Sequence, residues 1–152
     1  MVLADYASRE CRFNFGVLAT DVSTRVLDRA RSGIYQESQA LPIPHEYRKR
    51  FLLRAGSNEE RQVRIVPTLR NKVSFHQLNF MDPEYNIRDQ FNVVYFRNVM
   101  IYFDKYTQAT VINKICQNLA PGGYLFAGHS ESLVGLDIPV MPVKTSIYRK
   151  PF

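Results

Sequence analysis

The chain has 152 residues, 45% hydrophobic and 22% charged, with a formal net charge of +6. That length supports one domain with a core of its own, and the balance is ordinary for a globular protein. No apolar run approaches the roughly 18 residues of a membrane span, and residues 1–11 lack the basic and apolar regions of a signal peptide, so membrane insertion is not expected and a cytoplasmic location is.

Residues 2–10 have helical character, and "FGVLATD" reads as a short buried strand. "VSTRVLDRARSG" follows as a helix, with Ser23 as N-cap, Val26, Leu27 and Ala30 as apolar stripe and Gly33 as stop. "QESQALPIPHEYRKR" is a proline-punctuated connector with one helical turn after Pro44. "FLLRAGSNEERQVRIVP" predicts an antiparallel hairpin turning at Ala55, Gly56, Ser57 and Asn58 and ended by Pro67. Residues 46–72 hold eight basic and three acidic residues, +5 of the total charge. That basic stretch can face an acidic protein, a phosphate backbone or only water.

"KVSFHQLNF" returns to a buried-strand pattern, and the polar "MDPEYNIRDQ" reads as a loop with a short helix. In "FNVVYFRNVMIYFD" the run from Phe91 to Phe96 is the near-continuous β-branched and aromatic pattern of a strand covered on both faces. Asp104 is placed to cap a helix through "KYTQATVINKICQNL", where Ile112, Ile115, Cys116 and Leu119 share one face and "APGG" stops the helix. "YLFAGHSES" is a strand running into a loop, and "DIPVMPVKTSIYRK" a closing pair of antiparallel strands broken by Pro139 and Pro142. Strands alternating with helices predict an α/β fold with a mostly parallel sheet and a small basic hairpin inserted.

Several residues could carry chemistry. Asp21 ends the first strand, where an acid accepts hydrogen bonds from ribose hydroxyls; helix capping competes, but Ser23 is better placed for that. Asn79 follows a strand and can pair with an adenine edge, or be an ordinary turn residue. Arg97 and Asn98 come directly after an apolar strand, where an open α/β sheet takes its ligands; a ligand carboxylate or a structural salt bridge would each answer the arginine. Tyr102 lies four residues after Asn98, on the same side if one helical turn joins them. His129, Ser130 and Glu131 make no hydrolase site, because the G-x-S-x-G elbow is absent. Cys11 and Cys116 lack metal or CxxC spacing and read as packed thiols, and no metal site is expected.

Taken together, "LATDVSTRVLDRARSGIY", "LNFMD", "FRNVMIYFD" and "LAPGGYLFAGHSESL" closely resemble the chemotaxis receptor glutamate O-methyltransferases of the CheR family. The resemblance covers nearly the whole chain. It implies an S-adenosylmethionine-dependent methyltransferase fold, Rossmann-like, over residues 1–152, with residues 46–70 as an inserted antiparallel β-subdomain that docks a receptor tail peptide in some members. It also implies that Asp21 binds the ribose, Asn79 and Phe80 flank the adenine, Arg97 and Asn98 hold the methionine part, and Tyr102 stands close to the reactive sulfonium. Arg97 and Tyr102 are then the residues nearest catalysis, and no general base is required, since a glutamate acceptor is already an anion at neutral pH.

The chain departs from the family pattern in what precedes Phe15: members begin with a strand and a glycine-containing loop, and with a helical domain before them. The resemblance therefore implies a fold truncated at its amino terminus, impaired in methyl transfer, with an unpaired strand edge that a second chain could fill by self-association. Asn92 stands where an aspartate is common and Phe96 where a cysteine is usual. The implied partner is a chemoreceptor cytoplasmic domain or tail peptide. The competing functions are a non-catalytic module binding an acidic partner through the basic hairpin, and a nucleic-acid methyltransferase, which ranks last for want of the Asn/Asp-Pro-Pro-aromatic signature.

Overall fold

The computed structural model describes residues 1–55, 61–128 and 131–152, arranged as two compact units, Met1–Asn79 and Phe80–Phe152. The turn residues expected at 56–58, and His129 with Ser130, lie outside the described residues.

In the first unit helix α1 (Val2–Arg9) is fastened by Asp5, which accepts from Arg9, from Arg50 at 3.0 Å and from Tyr47 at 3.4 Å. Strand β1 (Val17–Asp21) leads into α2 (Thr24–Ser32). The expected signals bound this helix: Ser23 Oγ accepts from the Val26 N–H, and Gly33 ends it at φ +64°, a left-handed conformation that glycine adopts without a Cβ penalty. Only Leu27 of the predicted stripe is buried, Val26 being half exposed.

Then come β2 (Ile34–Gln36), α3 (Glu37–Ala40), α4 (His45–Phe51), β3 (Leu52–Ala55), β4 (Gln62–Ile65), α5 (Pro67–Arg70) and β5 (Val73–Gln77). The predicted hairpin strands pair antiparallel, Leu52 with Ile65 through Ala55 with Gln62. Sequence reading missed β2, which joins the other side of β4 to give the order β2-β4-β3, and it also missed α3 and α5. Pro67 does end β4, and it also opens α5 as its first residue, where its missing N–H costs nothing. Strands β1 and β5 pair parallel in a separate two-stranded sheet, Val17 opposite Val73 through Asp21 opposite Gln77. Neither carries a fully buried residue, contrary to the buried-strand expectation, and among the described residues each has a single hydrogen-bonded neighbour.

The second unit is built on β6 (Phe91–Phe96), a 3₁₀ turn (Met100–Tyr102), α6 (Lys105–Gln117), β7 (Leu119–Ala127), β8 (Met141–Lys144) and β9 (Ile147–Arg149). Its sheet order is β6-β7-β9-β8, with β6 and β7 parallel and the last two strands antiparallel, as expected of a closing edge. Asp104 caps α6 by accepting from the Thr107 N–H at 2.8 Å. The predicted face of α6 goes inward: Val111, Ile112 and Cys116 are at most 1% exposed and form the core with Met100, Leu119 and Leu125. Burial pushes the Cys116 thiol up to about 11, so it is an unreactive packed group, whereas Cys11 is exposed, against expectation.

Three expectations fail here. "APGG" does not end the helix; α6 stops at Gln117, and these residues lie inside β7, where the register against β6 shifts between Phe91 and Val93. No helix forms within residues 81–90; that loop is instead tied to α6 by Lys114, which donates to the Phe80 and Asp82 carbonyls, and by Asn118, which donates to those of Ile87 and Asp89. Nor is β6 covered on both faces, since Val93 is 45% and Tyr95 70% exposed; among the described residues β6 is an edge strand, bonded to β7 alone.

Ile112 is the largest fully buried side chain of α6, so truncating it leaves a cavity beneath the helix. Ile112→Ala is expected to lower the unfolding free energy by about 2–5 kcal/mol in urea titration followed by circular dichroism. A loss under about 1 kcal/mol would mean that α6 is not docked on the core described.

Candidate functional site

The carboxyl end of β6 is where polar groups collect in the second unit. Phe96 is buried and meets Phe80 edge-on at 4.9 Å; the chain then turns out, leaving Arg97 and Asn98 exposed. Arg97 has no hydrogen bond or ion pair among the described residues, so the salt-bridge alternative finds no support there, and its exposure removes the burial cost that would have demanded one. Asn98 adopts φ +60°, a left-handed conformation that asparagine tolerates better than most residues. Consequently Asn98 and Tyr102 are not joined by one helical turn, as the spacing had suggested; the helical part is the 3₁₀ turn alone, ending in a Tyr102 that is 78% exposed.

What holds this segment is Glu131. The residue is 6% exposed, and its carboxylate accepts four backbone N–H groups, two on each oxygen: Asn98 at 2.9 Å and Gly128 at 2.8 Å on Oε2, Val99 at 2.7 Å and Met100 at 2.8 Å on Oε1. The change from φ +60° at Asn98 to φ −118° at Val99 turns successive N–H groups toward one point, the concave arrangement that binds anions. From the other side Gln108 Nε2 donates to the Met100 and Phe103 carbonyls, each at 2.9 Å, and Met100 is anchored in the core. Sequence reasoning set Glu131 aside with the hydrolase motif and passed over Gln108. The signal that could have found Glu131 is an acid four residues past an apolar strand, a group that must be paid for in hydrogen bonds if buried.

In the first unit Asp21 closes β1. Asp21 Oδ1 accepts from the Ser23 N–H at 2.8 Å, so the residue does have a structural task, bending the chain into α2, which the capping argument had denied it. Asp21 Oδ2 accepts no hydrogen bond among the described residues and is available to a hydroxyl. Asn79 is exposed and follows Leu78, whose N–H donates to the Asp21 carbonyl at 3.0 Å, so the ends of β1 and β5 lie together. Phe80 opens the second unit, packed against Tyr85 and Phe96. An open hollow in the first unit is lined by Ala4, Phe15, Arg50, Phe51, Leu69 and Lys72 among others, and none of the expected site residues borders it. No cluster suited to a metal occurs among the described residues, and no helix there is long and apolar enough to cross a membrane.

In an α/β fold, polar side chains at the carboxyl ends of strands stand where such sheets take their ligands. The family model "CheR methyltransferase, SAM binding domain" matches residues 1–149, and the chain belongs to that family. It is 40% identical over 120 residues to the chemotaxis protein methyltransferase of Salmonella typhimurium, covering 79% of this chain and 42% of that protein. It is 37% identical over 132 residues to chemotaxis protein methyltransferase 2 of Pseudomonas aeruginosa, covering 87% and 47%. The chain thus spans about half the length of the curated relatives it matches. Among solved structures, the glycopeptide N-methyltransferase MtfA complexed with S-adenosyl-L-methionine aligns over 99% of this chain and 65% of its own at a TM-score of 0.45 and 14% identity. The cofactor of this domain family is S-adenosyl-L-methionine, and the residues present fit it: a free guanidinium for a carboxylate and an available carboxylate oxygen for a hydroxyl.

Burial alone would raise the Glu131 pKa, but the four N–H donors outweigh it and hold the group below its ordinary value of 4.5. With a folded value below the unfolded one, the interaction is complete above pH 4.5 and is lost as pH falls through the lower folded value. Amide shifts of Asn98, Val99, Met100 and Gly128 are therefore expected to stay flat in an NMR titration from neutral pH down to the ordinary glutamate range, and to move only below it. A midpoint above that range would contradict the four-donor geometry.

Proposed function

We propose that this chain is the cofactor-binding part of an S-adenosyl-L-methionine-dependent methyltransferase that esterifies glutamate side chains on chemoreceptor cytoplasmic domains. One observation carries the reading: an exposed, unpaired Arg97 on a backbone segment locked by Glu131, in a chain that belongs to the CheR family. In this reading residues 1–152 are the methyltransferase domain, with residues 46–70 as its inserted β-subdomain.

When bound, S-adenosyl-L-methionine supplies an activated methyl group on a sulfonium. Arg97 would take the carboxylate of its amino-acid end with Asn98 beside it, Asp21 would take the ribose hydroxyls, and Asn79 with Phe80 would border the adenine. Tyr102 would border the acceptor side. None of these side chains needs to move a proton, because a glutamate acceptor is ionised at neutral pH. Their task is orientation, and a displacement of ~1 Å can cost on the order of a hundredfold in rate. With about half the length of its relatives, the isolated chain should transfer methyl groups more slowly than a protein of their full length.

The three-stranded sheet supports a second reading, in which the chain holds an acidic receptor tail. Strand β3 lies at one edge, with Leu53 51% exposed and Arg54 exposed beside it. This binding could accompany catalysis or stand alone. Self-association through the open side of β6 also belongs to the proposal, with sedimentation as its test.

Isothermal titration with S-adenosylhomocysteine is expected to show binding, weakened at least about tenfold, or ~1.4 kcal/mol, by Arg97→Ala or Asp21→Ala. Receptor membranes incubated with the radiolabelled donor should gain label that base releases as methanol, the mark of an ester. Base-stable label would exclude glutamate esterification, and binding to an acidic tail without any affinity for S-adenosylhomocysteine would leave only the second reading.

A further inference from the structure

Glu131 is a buried anion whose hydrogen bonds all come from peptide groups, with no ion-pair partner among the described residues. Such a group is an expensive way to gain stability, since an uncompensated charge loses its hydration and an apolar side chain of similar volume often serves a core as well or better. What an apolar side chain could not do is fix three consecutive N–H groups, those of Asn98, Val99 and Met100, at one point. These belong to the three residues directly after Arg97, with Ile101 alone between them and Tyr102. Their backbone includes the left-handed Asn98, a conformation an unrestrained asparagine would leave readily.

The fourth donor ties this segment to the end of β7. The Gly128 N–H donates to Oε2, and the Glu131 N–H returns a hydrogen bond to the Gly128 carbonyl at 3.0 Å. A Cβ at Gly128 would stand 2.5 Å from Oε2 and 3.0 Å from Asn98 Oδ1, so a side chain there would displace the carboxylate or the asparagine. One carboxylate thereby joins the ends of two parallel strands, β6 and β7, directly under the segment that bears the exposed arginine.

We propose that Glu131 is a positioning residue for the cofactor site: by clamping the peptide groups of Asn98, Val99 and Met100 it fixes where the Arg97 guanidinium and the Tyr102 ring stand. The inference rests on the reading of Arg97 given under Proposed function. In Glu131→Gln one oxygen becomes an amide NH₂, which would face two N–H donors with a donor of its own. Glu131→Asp keeps the charge but, one methylene shorter, reaches fewer of the four. The segment then samples other conformations, and Arg97 meets its partner only in a fraction of them.

The test is a double-mutant cycle on the whole chain, with S-adenosylhomocysteine as the probe in isothermal titration. Glu131→Gln is expected to weaken binding about tenfold, Glu131→Asp less, and Arg97→Ala at least as much as the glutamine variant. Because Glu131 acts through Arg97, the double variant should bind within about twofold of Arg97→Ala alone. A general loss of stability would instead weaken every background by the same factor, so additive losses overturn the positioning role. Amide hydrogen exchange at Asn98, Val99 and Met100 should quicken in Glu131→Gln while Ile112 and Leu125 stay protected; unchanged exchange at the three also overturns it. If Glu131→Gln does not fold, Gly128→Ala presses on the same carboxylate and should show the same coupling to Arg97. Failure of the wild-type chain to bind S-adenosylhomocysteine overturns the cofactor reading and this role with it, whereas wild-type binding with additive losses overturns this role alone.

Discussion

A carboxylate buried beneath a turn, with two N–H groups on each oxygen, is the constraint on which the second unit depends. Glu131 costs several kcal/mol to dehydrate, and each charge-assisted hydrogen bond returns on the order of 1.5–3 kcal/mol. Four converging donors offset that cost, and convergence dictates the backbone: φ +60° at Asn98, an abrupt reversal at Val99, and no side chain at position 128. Remove any one of these and the others lose their reason. The 3₁₀ turn, the buried Met100 and the Gln108 bonds to its carbonyls then follow from where the clamp sets the chain.

Under the proposed function, this arrangement would suit a reaction that asks little of proton transfer. Between an ionised acceptor and an activated methyl donor the barrier falls through alignment and exclusion of water, so rigid placement matters more than tuned acidity. Rigid placement of an exposed side chain is difficult, because arginine has many rotamers and Arg97 makes no hydrogen bond or ion pair among the described residues. Fixing the peptide that carries it removes the largest part of that freedom without occupying the guanidinium. Asp21 follows the same logic in the first unit: one oxygen is committed to the Ser23 N–H, which orients the carboxylate, while the other stays available.

The elements most legible in the sequence were those set by local chemistry. Ser23, Gly33 and Asp104 bounded α2 and α6 because caps act within a few residues, and the spacing of Ile112, Ile115 and Cys116 named the buried face of α6. Strand burial was misread at β1, β5 and β6, since a run of branched and aromatic residues does not tell an edge strand from a central one. Tyr95 looks like core in the sequence, yet it stacks on Phe126 at 4.8 Å with most of its ring open. The roles of Glu131 and Gln108 were illegible for a different reason. Glu131 serves backbone groups about 30 residues away, and peptide N–H groups leave no trace in a list of side chains. The family fragments, by contrast, were readable because "RNVMIYFD" and "GHSES" carry both halves of that clamp, although neither half reveals what it does.

The two small departures from the family pattern can be weighed on the same physical terms. Asn92 is exposed on β6, so exchanging an aspartate for an asparagine there changes an exposed side chain. Phe96 is different, because it is buried immediately before Arg97. A phenyl ring needs far more room than a thiol, and here it is met edge-on by Phe80, which itself packs edge-on against Tyr85. Such pairs contribute about 0.5–1.5 kcal/mol beyond the area they bury, and they prefer a narrow set of ring angles. The larger residue therefore couples the start of the clamped segment to Phe80, so that the strand end is held by aromatic packing on its buried side and by Glu131 through the peptides that follow.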